Sequence, residues 1–138
     1  MKAHEGEIEV ATKGRGLHDI TDRIERIVAS SSVTTGICVV FVKHTSASLV
    51  IQENADPSVR RDMEKWIERI APESDVYEHD AEGPDDMPSH LRSVLTKTSE
   101  TIPITRGKLA LGTWQAVYLW EHRTVHHRRS VVVHVQGI

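Results

Sequence analysis

The residue types able to do chemistry gather at four places in the chain. The segment Tyr77–His90 (YEHDAEGPDDMPSH) holds His79, His90 and five carboxylates, Glu78, Asp80, Glu82, Asp85 and Asp86, with no Lys or Arg among them. His44-Thr45-Ser46 follows an apolar run, Gly112-Thr113-Trp114-Gln115 precedes another, and Glu121-His122 stands ahead of Arg128-Arg129. Each place lies at an expected element boundary, where side chains can converge without occupying a core. Imidazole and carboxylate donors in a set of three suit zinc or a related divalent ion, with one position left for water or substrate. His44, His79 and His90 are the imidazole candidates, although no two of them share a tight motif such as H-E-x-x-H.

For a phosphate, Arg128 and Arg129 offer fixed-charge planar forks, and Thr45, Ser46 and Thr113 offer hydroxyl donors. The two arginines are adjacent in an expected strand and so point to opposite faces. Neither common glycine-rich phosphate cradle occurs, which excludes the usual nucleotide cofactors. Trp114 is either core or a ring face beside a polar pocket. A triad of Ser46, His44 and Asp86 can be drawn, but nothing resembles a nucleophile elbow. His126 and His127 read as ordinary surface histidines.

These groups need elements to position them. Glu7–Val10 alternates as a first strand, which Gly14 and Gly16 break. Ile20, Ile24, Ile27 and Val28 recur at helical spacing, predicting a helix over Asp22–Ser30 capped by Asp19 or Thr21. Gly36–Lys43 is a central strand that stops at His44, and Leu49 and Ile51 mark a second one closing at Asn54. Asp56-Pro57 opens a helix whose face carries Val59, Met63, Trp66, Ile67 and Ile70, and Pro72 ends it. Gly83, Pro84 and Pro88 make the acidic segment a structured loop. It leads into a short helix capped by Asp86 and carrying Leu91, Val94 and Leu95. Beyond Thr101 the pattern is strand-rich: Ile102–Ile104, a turn at Arg106-Gly107, Leu109–Leu111, Trp114–Trp120 and Ser130–Val135. The expected architecture is α+β, a mostly antiparallel sandwich or half-barrel with two main helices and one short one.

With 138 residues the chain supports one domain, 1–138, and no second core. No apolar run approaches the roughly 20 residues of a membrane helix, and the charged N-terminus has no signal-peptide core, so the expected location is the cytoplasm. Cys38 is alone, which excludes an internal disulfide, and its apolar setting is that of a buried hydrophobe. A net charge of −3 argues against a nucleic-acid partner held by phosphate contacts. The charge is unevenly spread. Ile70–Leu91 has seven acids and no Lys or Arg, whereas from Thr105 onward five basic residues face a single acid, Glu121. The acidic loop and the basic third either pair with each other, leaving a solvated surface, or bracket a ligand carrying a metal and a phosphate.

HTSASLVIQENADPSVRRDM, YEHDAEGPDDMPSH, LGTWQAVYLWEHR and the closing VVVHVQG resemble, in order and nearly end to end, the YjbQ-like family of secondary thiamine-phosphate synthases. The resemblance implies an antiparallel α+β domain assembled as a homotrimer, with pockets near subunit boundaries. It also implies an activity joining hydroxymethylpyrimidine diphosphate to thiazole phosphate with release of pyrophosphate. The matching positions are His44, Thr45, Ser46, His79, Asp85, Asp86, His90, Thr113, Trp114, Gln115, Glu121, His122 and Arg129. Departure of diphosphate calls for a divalent ion or an arginine on the leaving group and an electron-rich face beside the developing cation. The resemblance then assigns His44, His79, Asp85 and His90 to a metal, with Asp86 as a further carboxylate for the ion. Thr45, Ser46, Thr113, Trp114, Gln115 and Arg129 would bind substrate, and His44, His90, Asp86, Glu121 and His122 would act in catalysis, His90 or His122 as general acid. A metal-dependent hydrolase of a small phosphorylated metabolite, and a non-catalytic trimer binding such a metabolite or a metal, are the competing readings.

Overall fold

Period-two alternation along the long strands decides the architecture. The computed structural model describes residues 1–138, in the order β1 (Lys2–Thr12), β2 (Gly16–Asp19), α1 (Thr21–Ser31), β3 (Thr35–Val42), β4 (Ala47–Glu53), α2 (Pro57–Ile70), α3 (Asp86–Leu95), β5 (Ser99–Thr105), β6 (Lys108–Leu109), β7 (Gln115–Glu121) and β8 (His127–Gly137). All strand pairs are antiparallel. One sheet runs β1-β8-β3-β5-β6 and the other β2-β7-β4, and together they form the half-barrel of a single α+β domain.

The inward positions of both sheets meet in one cluster. Cys38, Val40 and Val42 of β3, Val131, Val133 and Val135 of β8, and Val117 and Leu119 of β7 are all buried there. The register sets Val40 beside Val133 and Cys38 beside Val135. Burial pushes the Cys38 thiol up to about 12, so it packs as a neutral hydrophobe. Ile24 and Val28 of α1 close the same cluster. Where β3 ends, Val42 N bonds to Thr98 O and Lys43 N to Ser130 O, and beyond the His44–Ser46 turn Leu49 N bonds to Lys97 O, which ties β4 to the segment entering β5 of the other sheet.

Several elements depart from the sequence expectations, each for a tertiary reason. β1 reaches from Lys2 to Thr12 because β8 pairs with it along that whole length. Gly16–Asp19, expected as a break, is an edge strand on β7. The Leu109–Leu111 strand shrinks to Lys108–Leu109 after a turn in which Arg106 and Gly107 both have positive φ. α2 is capped as expected, Asp56 Oδ1 accepting from Ser58 N at 2.9 Å, yet Ile67 is its one buried residue, and Trp66 and Ile70 are 45% and 47% exposed.

α3 differs most. The helix begins at Asp86 after Asp85, whose side chain makes no capping bond. Its buried residues are Asp86, Pro88, Ser89 and Arg92, whereas Val94 is 80% and Leu95 51% exposed. The chain turns a polar face inward because buried partners receive it: Ala71 O accepts from Arg92 Nη2, and Arg123 donates to Asp86.

Candidate functional site

The end of β3, the start of β4, the end of β7 and the first turn of α3 meet at one edge of the half-barrel. Asp86 and His90 are four residues apart on α3 and therefore share a face. His79 reaches that face from the preceding loop. Asp86 Oδ2 lies 2.7 Å from His79 Nε2 and 3.4 Å from His90 Nε2, and one donor atom from each of the three residues lies within 4.8 Å of the others.

In His90 and Asp86 the atom facing away from this cluster is anchored. His90 Nδ1 lies 3.0 Å from Thr45 O, a carbonyl that can only accept. Nδ1 therefore carries the proton of the neutral ring, and the Nε2 lone pair is turned toward Asp86. Asp86 is 1% exposed, and its other oxygen, Oδ1, accepts from Arg123 Nη1 at 2.9 Å. His79 is the accessible member, its side chain 52% exposed. Two imidazoles and one carboxylate, with His90 and Asp86 held from behind and His79 open to solvent, are donors that could hold a divalent ion.

Two of the four expected ligands lie elsewhere. Asp85 faces away from the cluster: its Oδ2 accepts from Arg123 Nε at 2.8 Å, Thr124 N at 2.9 Å and Thr124 Oγ1 at 3.2 Å. Burial opposes ionisation of Asp85, but these bonds outweigh it and hold the carboxyl down at about 2. Asp86 takes the place in the cluster expected for Asp85. His44 Nε2 accepts the Ser130 amide at 2.8 Å, so that lone pair is committed and the neutral ring keeps its proton on Nδ1, which makes it a donor rather than a ligand. Burial, with Arg129 close by, holds the His44 pKa below the ordinary histidine value.

Beneath the cluster is a buried polar layer. Arg129 Nε donates to Glu121 Oε1 at 2.8 Å and Nη2 to Ser46 Oγ at 2.9 Å, while Thr12 Oγ1 donates to Glu121 Oε1. Glu121 is fully buried and Arg129 is 3% exposed. Burial opposes its charge, but the Arg129 and Thr12 bonds keep the Glu121 pKa below the usual carboxylate range. Ser46, Glu121 and Arg129 thus satisfy one another, which leaves none of them for a phosphate or a proton-transfer role. His122 is equally enclosed. Its Nε2 lies 2.8 Å from Ser48 Oγ, and burial, with Arg92 adding to it, pushes its pKa down to about 3, so the ring is neutral in the folded chain near neutral pH. Arg128, on the opposite face of β8, is exposed beside Glu9.

Thr113, Trp114 and Gln115 stand at the other end of β7. Gln115 pairs with Glu53 and Glu121 with Ala47, so the strand carries this motif about 20 Å from Glu121. Trp114 is 63% exposed, and Gln115 Oε1 caps Gly112 N. The sequence reading missed Arg123 as a site residue. Its only signal was membership of the basic third, and the pairing spans 37 residues to Asp86. That pairing realises the expected match between the acidic loop and the basic strands, but through one arginine and the two carboxylates next to the cluster.

The comparisons agree with this architecture. The family model described as "UPF0047 protein YjbQ-like" matches residues 6–138. A UPF0047 protein of Synechocystis sp. is 53% identical over 138 residues, covering 99% of this chain and 94% of its own. The UPF0047 protein YjbQ of Salmonella typhimurium is 44% identical over 131 residues, covering 94% and 95%. The crystal structure of a YbjQ-like protein from Sulfolobus solfataricus superposes with a TM-score of 0.92 at 29% identity, covering 99% of each chain. One from Clostridium acetobutylicum, of the yjbq/upf0047 family, gives 0.85 at 36% identity, covering 94% and 99%. With the motifs and the half-barrel in agreement, the chain belongs to the UPF0047 protein YjbQ-like family.

Proposed function

We propose that the chain is a divalent-cation-dependent enzyme acting on a small phosphorylated metabolite, with His79, Asp86 and His90 holding the ion. The observation that carries this reading is the convergence of three donors, two of them oriented from behind: the Thr45 carbonyl sets the His90 tautomer and Arg123 occupies the far oxygen of Asp86. A divalent ion there supplies Lewis acidity toward phosphoryl oxygens and toward water. The chain's own part is to hold the donors, expose the His79 side to ligand and keep the second oxygen of Asp86 neutralised.

The first reaction to test is the transfer that the resemblance implies, joining hydroxymethylpyrimidine diphosphate to thiazole phosphate with release of pyrophosphate. Hydrolysis is the second reading, favoured by the solvent exposure of His79. The proposal includes a homo-oligomer, a trimer by resemblance, because Trp114 is exposed and lies far from the cluster within one chain, so only a second copy can bring the two motifs together. A cytoplasmic location, where such phosphorylated metabolites are made, belongs to the same reading. The test incubates tag-free protein and its His79→Ala form with each heterocycle alone and with both, after metal analysis. Pyrophosphate released only with both supports transfer, and release of phosphate or pyrophosphate from one alone supports hydrolysis. Metal retention without turnover points to a binding protein. Equal metal content in wild type and His79→Ala overturns the centre.

A further inference from the structure

We propose that the cavity beside His44 is the oxyanion subsite of this centre, and that His44 serves it as a neutral hydrogen-bond donor through Nδ1–H. The inference rests on the cation-centre reading for what the subsite adjoins, but its own evidence is separate.

Two cavities flank the cluster, one on each histidine. The cavity at His79, about 350 Å³, is lined by Glu73, Asp75 and Asp80, whose carboxylates repel a phosphoryl group. The cavity at His90, about 440 Å³, is lined by His44, Thr45, Ser93, Thr96 and Thr98 and contains no carboxylate. Donors there are available. Ser130 N gives its hydrogen to His44 Nε2 at 2.8 Å, which leaves the ring proton on Nδ1, and Nδ1 has no partner within the chain. The hydroxyls of Thr45 and Thr98 are likewise unclaimed by any intramolecular bond, whereas Thr96 Oγ1 is spent on Arg92 O. The fixed charges bearing on His44 are Arg129 and Lys43 on the positive side and Glu121 on the negative. A neutral donor in a positive field beside open cation-coordination positions suits the non-bridging oxygens of a phosphate ester or a diphosphate. The acidic cavity on the other side would then face the uncharged or amine-bearing part of the same molecule, which gives the ligand a direction across the cluster.

The experiment measures binding of inorganic pyrophosphate and orthophosphate by calorimetry, with zinc or magnesium and again after chelation. The proteins are the wild type, His44→Gln, His44→Leu and Thr98→Val. Gln can accept from Ser130 N and still donate, so His44→Gln should bind within about threefold of wild type. His44→Leu should bind about tenfold more weakly, the loss of roughly one hydrogen bond, while metal content stays unchanged. Thr98→Val, a conservative change outside the core, should show a smaller loss in the same direction. Nitrogen NMR of the wild type should find the His44 proton on Nδ1 and a shift of that signal when pyrophosphate is added. Equal affinity in wild type and His44→Leu, a proton on Nε2, or no pyrophosphate binding at all overturns the subsite. Pyrophosphate binding that depends on His44 but is indifferent to chelation keeps the subsite and overturns the cation centre. Tighter binding of pyrophosphate than of orthophosphate indicates a diphosphate ester as the natural ligand, and the reverse a monophosphate.

Discussion

Arg123 Nη1 donates to Asp86 Oδ1 at 2.9 Å, and the other oxygen of that carboxylate is the one shared by His79 and His90. The same guanidinium bonds Asp85 through Nε and the Glu82 carbonyl through Nη2. One side chain from the end of β7 thus fastens the acidic loop and orients the cluster's carboxylate. Without it two carboxylates, each under a tenth exposed, would lose the cation they share.

Replacing Arg123 by Met should therefore reduce folding stability by about 3 kcal/mol, since it strands two buried carboxylates. Metal affinity should fall about 10- to 100-fold, as it does when the groups orienting a ligand are lost. Urea unfolding and a metal titration of one preparation read both. Unchanged metal affinity would show that Arg123 serves the loop alone.

His79→Ala removes a half-exposed ring and should change stability by less than about 1 kcal/mol. It should nevertheless abolish stoichiometric metal retention, because two donors remain where three are needed. Asp85→Asn should show the opposite pattern: a measurable stability loss with metal bound, since Asp85 pairs with Arg123 and Thr124 rather than facing the cluster. Elemental analysis beside thermal melts separates the two roles.

Arg129→Met should cost about 3–5 kcal/mol whatever its effect on activity, because it leaves Glu121 charged, fully buried and without its cation. A well-folded Arg129→Met protein with weakened phosphate binding would restore Arg129 to the substrate-binding set.

Stability should decline in acid, starting near neutrality. His122 is held at about 3 in the folded chain and titrates near the ordinary histidine value of 6.5 when unfolded. Between those values the unfolded chain takes up a proton that the folded chain refuses. The stabilisation is complete above about pH 6.5 and drains at roughly 1.4 kcal/mol per pH unit as pH falls. Asp85, held at about 2, adds a loss only below about pH 4. Urea midpoints of wild type and His122→Gln between pH 7.5 and 4.5 test this, and the variant should have the shallower slope.

The outer face of β3 presents Ile37 and Phe41, 38% and 46% exposed, and Phe41 is in register with Val132 of β8. If copies of the chain meet through this strip, Phe41→Lys should shift the mass in light scattering toward the monomer without unfolding the domain. A mass unchanged from wild type would place the contact elsewhere.

The sequence by itself determined the strands whose apolar residues alternate or run unbroken, the Asp56-Pro57 helix start, and the antiparallel α+β class. Those depend on local periodicity and capping, which neighbours in sequence carry. It also identified the acidic loop and its histidines, because ligand-type side chains concentrated between Gly and Pro breaks are visible without a fold. Only the tertiary structure decided that Asp86 and not Asp85 joins His79 and His90, that His44 is a donor, and that Glu121, His122 and Arg129 lie in a sealed layer. Adjacent residues at a helix start point in different directions, and which one meets a partner depends on where β7 delivers Arg123. Burial of a charge likewise depends on what packs above it, as with Glu121 under Thr12 and Arg129, and a contact such as Thr12–Glu121, 109 residues apart, leaves no local trace.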